Sequence, residues 1–184
     1  YAYDLNGHLL EKTEYGDDNS QLITRYERDH AGRLVRKILP GASVVDYAYD
    51  RQGNLLSVED GHWALAYEYD RQNRLTAEHQ GWGTLRYGYD ACGQLKNLCL
   101  PDNNRVTFNH DKGGHLATVE LNGEVLTSHL FNSGREHQRQ QGQLLSHYHY
   151  DDQHRLHAHA VTQQQNHLYQ RQYDYDKSGN LTRL

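Results

Sequence analysis

The sequence has no methionine, only two prolines, two phenylalanines and two cysteines in 184 residues. Leu, Ile, Val and Phe together number 36, just under one residue in five. That is near the level at which a chain stops burying enough apolar surface to fold, so an ordinary globule with an aliphatic core is not expected. Cys92 and Cys99 cannot build a disulfide framework and read as two unrelated thiols. No stretch approaches 18 consecutive apolar residues, so no membrane-spanning segment is expected. No charged leader followed by an apolar run is visible; with Tyr1 in first place rather than Met, we expect the true N-terminus to lie upstream. Neither sign of charge dominates: 19 Lys and Arg face 24 Asp and Glu, a formal net charge of −5 with no basic block. That balance argues against nucleic acid or an anionic membrane as the main partner. Catalytic signatures are missing as well: there is no G-x-S-x-G, no H-E-x-x-H and no phosphate-binding glycine loop.

What the chain does have is 15 tyrosines, 14 histidines and 16 glycines, and many of them are ordered. Tyr47-Ala48-Tyr49-Asp50-Arg51-Gln52-Gly53-Asn54-Leu55 returns as Tyr67-Glu68-Tyr69-Asp70-Arg71-Gln72-Asn73-Arg74-Leu75. It returns again as Tyr87-Gly88-Tyr89-Asp90-Ala91-Cys92-Gly93-Gln94-Leu95. The same Y-x-Y-D-x-x-G-x-L frame opens the chain with Tyr1, Tyr3, Asp4 and Gly7, and recurs with Tyr173, Tyr175, Asp176 and Gly179. Weaker copies lie at Tyr26–Leu34, where Arg28 replaces the second Tyr, at Phe108–Leu116, and at Tyr148–Leu156 with Tyr150 and Asp151. A badly eroded copy is Phe131-Asn132-Ser133-Gly134. Marked by the Asp, or by Asn132 in the eroded copy, the nine copies stand at 4, 29, 50, 70, 90, 111, 132, 151 and 176. A period this regular is the signature of a repeat architecture.

Each copy has a physical reading. Two tyrosines two residues apart share one face of a strand. Asp50-Arg51-Gln52-Gly53 is turn chemistry, the Asp capping through its side chain and the Gly supplying a positive φ. Gly53-Asn54-Leu55-Leu56-Ser57-Val58 then reads as the returning strand. A second turn signal follows in most copies: Pro40-Gly41, Asp60-Gly61, Gln80-Gly81, Asp102-Asn103-Asn104 and Asn122-Gly123, the last being the strongest short hairpin signal. Each copy is therefore one β-hairpin, and nine hairpins give roughly eighteen strands in a ribbon on the order of 80 Å long. Helical periodicity is absent; Gly134–Leu145 has helix-tolerant residues but no apolar face, and reads as strand or loop. The expected fold is all-β, with tandem hairpins in one long curled antiparallel sheet. It covers residues 1–184 without an internal boundary, as part of a larger chain. Strand twist must curl so wide a sheet, and a single layer cannot bury both faces, so it has to coil on more of itself or wrap around something.

The Y-x-Y-D-x-x-G-x-L hairpin resembles the YD repeat of Rhs proteins, toxin-complex C components and the animal teneurins, over essentially all 184 residues. Leu100-Pro101-Asp102, Gly113-Gly114-His115-Leu116 and Arg135-Glu136-His137-Gln138-Arg139-Gln140-Gln141-Gly142 are similar to the late core of bacterial Rhs proteins, with Asn103 where that pattern has Gly. The resemblance implies a spiral β-cage that encloses a C-terminal toxin and carries it into competing cells, often by the type VI secretion machine. It implies the rest of the parent chain as partner, with spike and immunity proteins reached through regions outside these residues, and a cytoplasmic origin followed by secretion or injection. It implies no cofactor and no enzyme activity in this segment. The proline-rich self-cleavage motif of the family has no counterpart around Pro40 or Pro101. The alternative is a cell-surface adhesion or carbohydrate-binding module built from the same repeats.

Two constellations compete with this structural reading. His147 and His149, and His157 and His159, are i, i+2 pairs, so each pair can project from one strand face and the four imidazoles are weak candidates for a Zn²⁺ or Ni²⁺ site. Asp174-Tyr175-Asp176-Lys177-Ser178-Gly179 mimics the start of an EF-hand loop, but the frame already accounts for Asp176 and Gly179. The tyrosine ladder itself reads as same-face cross-strand stacking. A polar, tyrosine-lined inner wall is also suited to holding a poorly folded cargo, and on that reading Leu in place of Tyr49, Tyr69 and Tyr89 leaves the fold intact but changes cargo retention.

Overall fold

The computed structural model describes residues 1–164 and 166–183. Among them there is no helix, and nineteen strands follow one another along the chain. The chain divides into two compact units, Tyr1–Tyr87 and Gly88–Leu184, and the division falls inside a strand rather than in a linker.

The first unit contains β1 (Ala2–Tyr3), β2 (Leu9–Tyr15), β3 (Gln21–Arg28), β4 (Leu34–Ile38), β5 (Val44–Tyr49), β6 (Leu55–Glu59), β7 (Leu65–Tyr69), β8 (Leu75–Gln80) and most of β9 (Gly83–Tyr89). Each of these strands pairs antiparallel with the next, a meander with no crossover. The second unit repeats the scheme with β10 (Leu95–Cys99), β11 (Arg105–His110), β12 (Leu116–Leu121), β13 (Glu124–Asn132), β14 (Arg135–Gln141), β15 (Leu144–Tyr150), β16 (Leu156–Gln163) and β17 (Asn166–Gln172). The short hairpin of β18 (Asp174–Tyr175) and β19 (Leu181–Arg183) ends it. The segment around Arg135–Gln141, read as strand or loop, is strand.

The register slips by one residue at the same place in the hairpins β1–β2, β3–β4, β5–β6, β7–β8, β11–β12, β13–β14, β15–β16 and β18–β19. Tyr49 faces Leu55 while Ala48 faces Ser57, Tyr69 faces Leu75 while Glu68 faces Ala77, and Tyr150 faces Leu156 while His149 faces Ala158. The extra residue lies on the returning strand just after the leucine, as a β-bulge that adds local twist. The bulge keeps both tyrosines, the leucine and the residue three further on, such as Val58, on one face.

Only Ala77, Ala158, Thr24 and Ser146 are buried among the described residues. None is large, so stability cannot come from a packed interior and has to come from the ladder, the cross-strand pairs and the turns. The turn following each Asp closes with two backbone bonds: Asp50 N–H donates to the Asn54 carbonyl (3.0 Å) and Gly53 N–H to the Asp50 carbonyl (3.2 Å). The fourth residue of the turn sits at positive φ, +95° at Gly53, and Asn73 and His154 occupy the same seat at +60° and +68°. The eroded copy has a different turn. Ser133 and Gly134, at +50° and +77°, form a two-residue turn of the type I′ kind, as Asn122-Gly123 does at +53° and +89°. An added Cβ at Gly53 meets nothing closer than Arg33 Nη1 at 3.8 Å, so its cost is backbone strain alone. Gly53→Ala is expected to destabilise the chain by about 1–2 kcal/mol, read as a lower urea midpoint at unchanged slope.

Candidate functional site

The frame residues assemble into a ladder of turns. In each Asp turn, Asp Oδ1 accepts from the backbone N–H groups two and four residues on: from Ala31 (2.9 Å) and Arg33 (3.0 Å) at Asp29, from Gln72 and Arg74 at Asp70, from Gln153 and Arg155 at Asp151. Asp Oδ2 is taken by the side chain four residues on. Arg33 donates to Asp29 at 2.7 Å, Arg74 to Asp70 at 2.7 Å, Arg155 to Asp151 at 2.8 Å, and Asn54 and Asn180 to Asp50 and Asp176. At Asp151 the Arg155 backbone N–H, opposed by desolvation and assisted by the Arg155 guanidinium, holds the carboxyl below the usual carboxylate range.

The residue between the turn glycine and the leucine then reaches the next turn. Arg33 Nη1 donates to the Asp50 carbonyl (3.2 Å) and its guanidinium lies 4.9 Å from the Tyr49 ring centre. Arg155 repeats both contacts on the Asp176 carbonyl (3.3 Å) and the Tyr175 ring (4.5 Å). Asn54 Nδ2 donates to Asn73 Oδ1, and Gln94 Nε2 to the Gly114 carbonyl. Every copy carries a side chain capable of donating here, a signal present in the sequence that reasoning on the frame letters passed over.

The second tyrosine supplies the other link. Tyr49 Oη donates to the Leu34 carbonyl (2.9 Å), Tyr69 Oη to the Leu55 carbonyl (2.9 Å), Tyr150 Oη to the Glu136 carbonyl (2.8 Å) and Tyr175 Oη to the Leu156 carbonyl (2.8 Å). Each bond ties one hairpin to the hairpin before it. Leu in place of Tyr49 or Tyr69 cannot make the bond, and the acceptor carbonyl loses that partner.

In the second unit the same face carries charge. His129 Nδ1 meets Glu136 Oε1 at 2.5 Å and its Nε2 meets Thr127 Oγ1 at 3.1 Å. Arg139 binds Glu136 through two nitrogens, at 2.9 and 2.5 Å, and lies 5.7 Å from the Tyr148 ring centre. Tyr148 stacks on His159 at 4.6 Å, and His159 Nδ1 meets Tyr169 Oη at 3.1 Å. The chain of contacts runs across β13 to β17. Burial pushes the Glu136 carboxyl up, but the Arg139 and His129 hydrogen bonds outweigh it and the net shift is downward. Burial, with Arg139 and Arg171 adding positive charge nearby, pushes His159 down against a smaller opposing pull from Glu136.

The four histidines proposed as metal ligands are not brought together. His149 faces Ala158 and shares the outer face with His147, whereas His159 faces Tyr148 on the tyrosine face. His157 is the bulged residue, with its Nδ1 3.3 Å from the Tyr173 carbonyl oxygen. Among the described residues no group of three or more His, Cys, Asp or Glu side chains is placed to hold a metal ion. The imidazole that does approach His149 is His137, at 6.0 Å between ring centres, a partner sequence spacing did not suggest. In the EF-hand-like stretch both oxygens of Asp176 are taken by Ser178 and Asn180. Cys92 is exposed and Cys99 half-buried, both as free thiols.

Stitched meanders of Asp-capped hairpins, with no large side chain fully buried among the described residues, define the class: a YD-repeat sheet. The Teneurin YD-shell family matches residues 8–135, and the chain belongs to that family. Among solved structures it is similar to TcdB2-TccC3 without its hypervariable C-terminal region, with 14% identity and a TM-score of 0.73 over 97% of this chain. It is similar, with 16% identity and a TM-score of 0.58 over 98% of the chain, to TcdB2-TccC3-TEV and to the Photorhabdus luminescens Tc holotoxin pore. At that identity the likeness is one of fold, and this chain spans only 12–13% of the length of those chains. No curated protein matches it.

Two outcomes follow from the site. Tyr69→Phe, which keeps the ring and removes the Leu55 bond, is expected to cost about 1 kcal/mol in urea unfolding. Acid is expected to weaken the second unit in two steps. His159 is depressed below the ordinary value of about 6.5, so its contribution is complete above that pH and is lost as pH falls through the lowered folded value. Glu136 contributes above the ordinary carboxylate range and is lost as pH falls through its own lowered value. Melting temperature followed from pH 8 to 3 checks both, and His159→Phe removes the upper step alone.

Proposed function

We propose that these residues are a stretch of wall in an Rhs-type shell that encloses a C-terminal toxin and delivers it between competing bacteria. The observation that carries the reading is that in each unit the hairpins are stitched turn to turn, with four small buried residues among the described ones, in a chain of the YD-shell family. Such a layer is incomplete alone. It needs further repeats of its parent chain at its strand edges and something against its faces. One of the similar solved structures is named as a Tc holotoxin pore and another as lacking a hypervariable C-terminal region, which supports a constant wall carrying a variable cargo. The wall has the role of container rather than catalyst, made in the bacterial cytoplasm and then exported or injected, by the type VI route in this reading.

One observation favours the adhesion alternative. Trp63 and Trp82 stand on neighbouring turns, 61% and 67% exposed. The Trp63 ring lies so close over Gly81 that a Cβ there would fall 2.0 Å from Cε3. An exposed indole packed over a glycine, with a second exposed indole on the next such turn, is suited to stacking on a sugar ring. Electron microscopy of the full-length chain separates the two readings. A closed hollow particle with internal density is expected. An open ribbon without cargo, together with glycan binding abolished by Trp63→Ala and Trp82→Ala, would replace the shell by the adhesion module.

A further inference from the structure

The exposed side of the seventh and eighth copies holds an imidazole pair that the repeat does not require. His137 is the bulged residue of β14, since Phe131 faces Glu136 while Leu130 faces Gln138. The bulge turns it to the outer face, where β15 presents His149 between its two tyrosines. Their rings meet edge to face, 6.0 Å between centres and 82° between planes. With a metal–nitrogen bond of about 2.0–2.1 Å, two imidazoles on one tetrahedral ion have centres about 5.2 Å apart, and about 6.4 Å when opposite each other. The observed separation lies between those two values, which puts both rings within reach of one ion.

Two further observations point to the same place. The pair opens into a surface depression of about 310 Å³ that also takes in His154. His154 occupies the seat of the turn glycine at φ +68°, a conformation that an L-residue adopts at some cost in energy. The other charges in the depression are engaged elsewhere: Asp151 binds Arg155, and Arg135 lies over the Tyr150 ring at 5.9 Å. We propose that His137 and His149 form an open site for a divalent transition metal of the Zn²⁺ class, with water completing the coordination. The ion ties β14 to β15 where the seventh copy has exchanged its Asp turn for Ser133-Gly134.

The test uses the full-length chain purified without a His tag. Calorimetric titration with ZnCl₂ is expected to show one site that His137→Gln or His149→Gln weakens at least about tenfold, while the pair His147→Gln and His157→Gln changes it less than about twofold. Copper(II) spin resonance gives an independent reading, with two imidazole nitrogens in the native chain and one in either single variant. Circular dichroism of each variant confirms that the fold is kept. Zinc uptake undiminished by both single substitutions, several sites of equal strength, or no uptake at all would each overturn the site, the first two as adventitious binding to scattered imidazoles.

Discussion

A tyrosine hydroxyl that donates to the backbone of the preceding hairpin does for this sheet what a hydrophobic core does for a globule. The bonds from Tyr49 to Leu34, Tyr69 to Leu55, Tyr150 to Glu136 and Tyr175 to Leu156 all run in the same sense, from one copy back to the one before. Each needs the tyrosine ring on the face of the acceptor strand, which the bulge after the leucine secures. Each also needs the turn to stand at a fixed height, which the two backbone bonds accepted by the Asp secure. Tyrosine is suited to the task because its ring supplies apolar area to a half-buried face while its hydroxyl reaches a backbone acceptor. A chain with so few aliphatic residues can therefore hold a wide layer together through contacts between neighbours, as repeat proteins do.

The residue after the turn glycine adds a second set of links. Arg33 and Arg155 each hold an Asp of their own turn, a carbonyl of the next and the face of the next tyrosine. Exposed ion pairs stabilise little singly, but here one guanidinium serves three partners and is pre-oriented by its own turn. Where the second tyrosine is lost, other contacts occupy the place. Phe131 stacks on His115 at 4.7 Å, and the Glu136–Arg139–His129 cluster fills the neighbouring stretch of the face. Divergence of the repeat has thus placed charge and imidazole where the other copies are tyrosine and aliphatic, and Glu136 and His159 add an acid response to that of the turn aspartates.

For a container this distribution has a consequence. In the shell we propose, a face of half-exposed tyrosines, arginines and carboxylates offers an enclosed polypeptide many weak contacts and no oily pocket. The opposite face buries the small side chains of Ala77 and Ala158 and leaves Leu56 and Leu130 exposed. The indoles of Trp63 and Trp82 and the imidazoles of His137 and His149 are departures from the repeat.

The repeat, its hairpins and turns, the shared face of each tyrosine pair and the all-β class are legible in the order of the residues alone. These depend on side-chain chemistry acting over four residues or fewer and on the two-residue period of a strand. The tertiary structure alone decided the bulge after each leucine, the acceptor of each tyrosine hydroxyl and the reach of Arg33 and Arg155 to the next turn. These contacts span about fourteen to twenty residues and depend on register, which a one-residue slip reverses. His159 shows the difference most plainly: spacing grouped it with His147, His149 and His157, whereas pairing put it on the other face, against Tyr148. His137 arrived beside His149 for the same reason, because an extra residue in one strand decides which face a side chain takes.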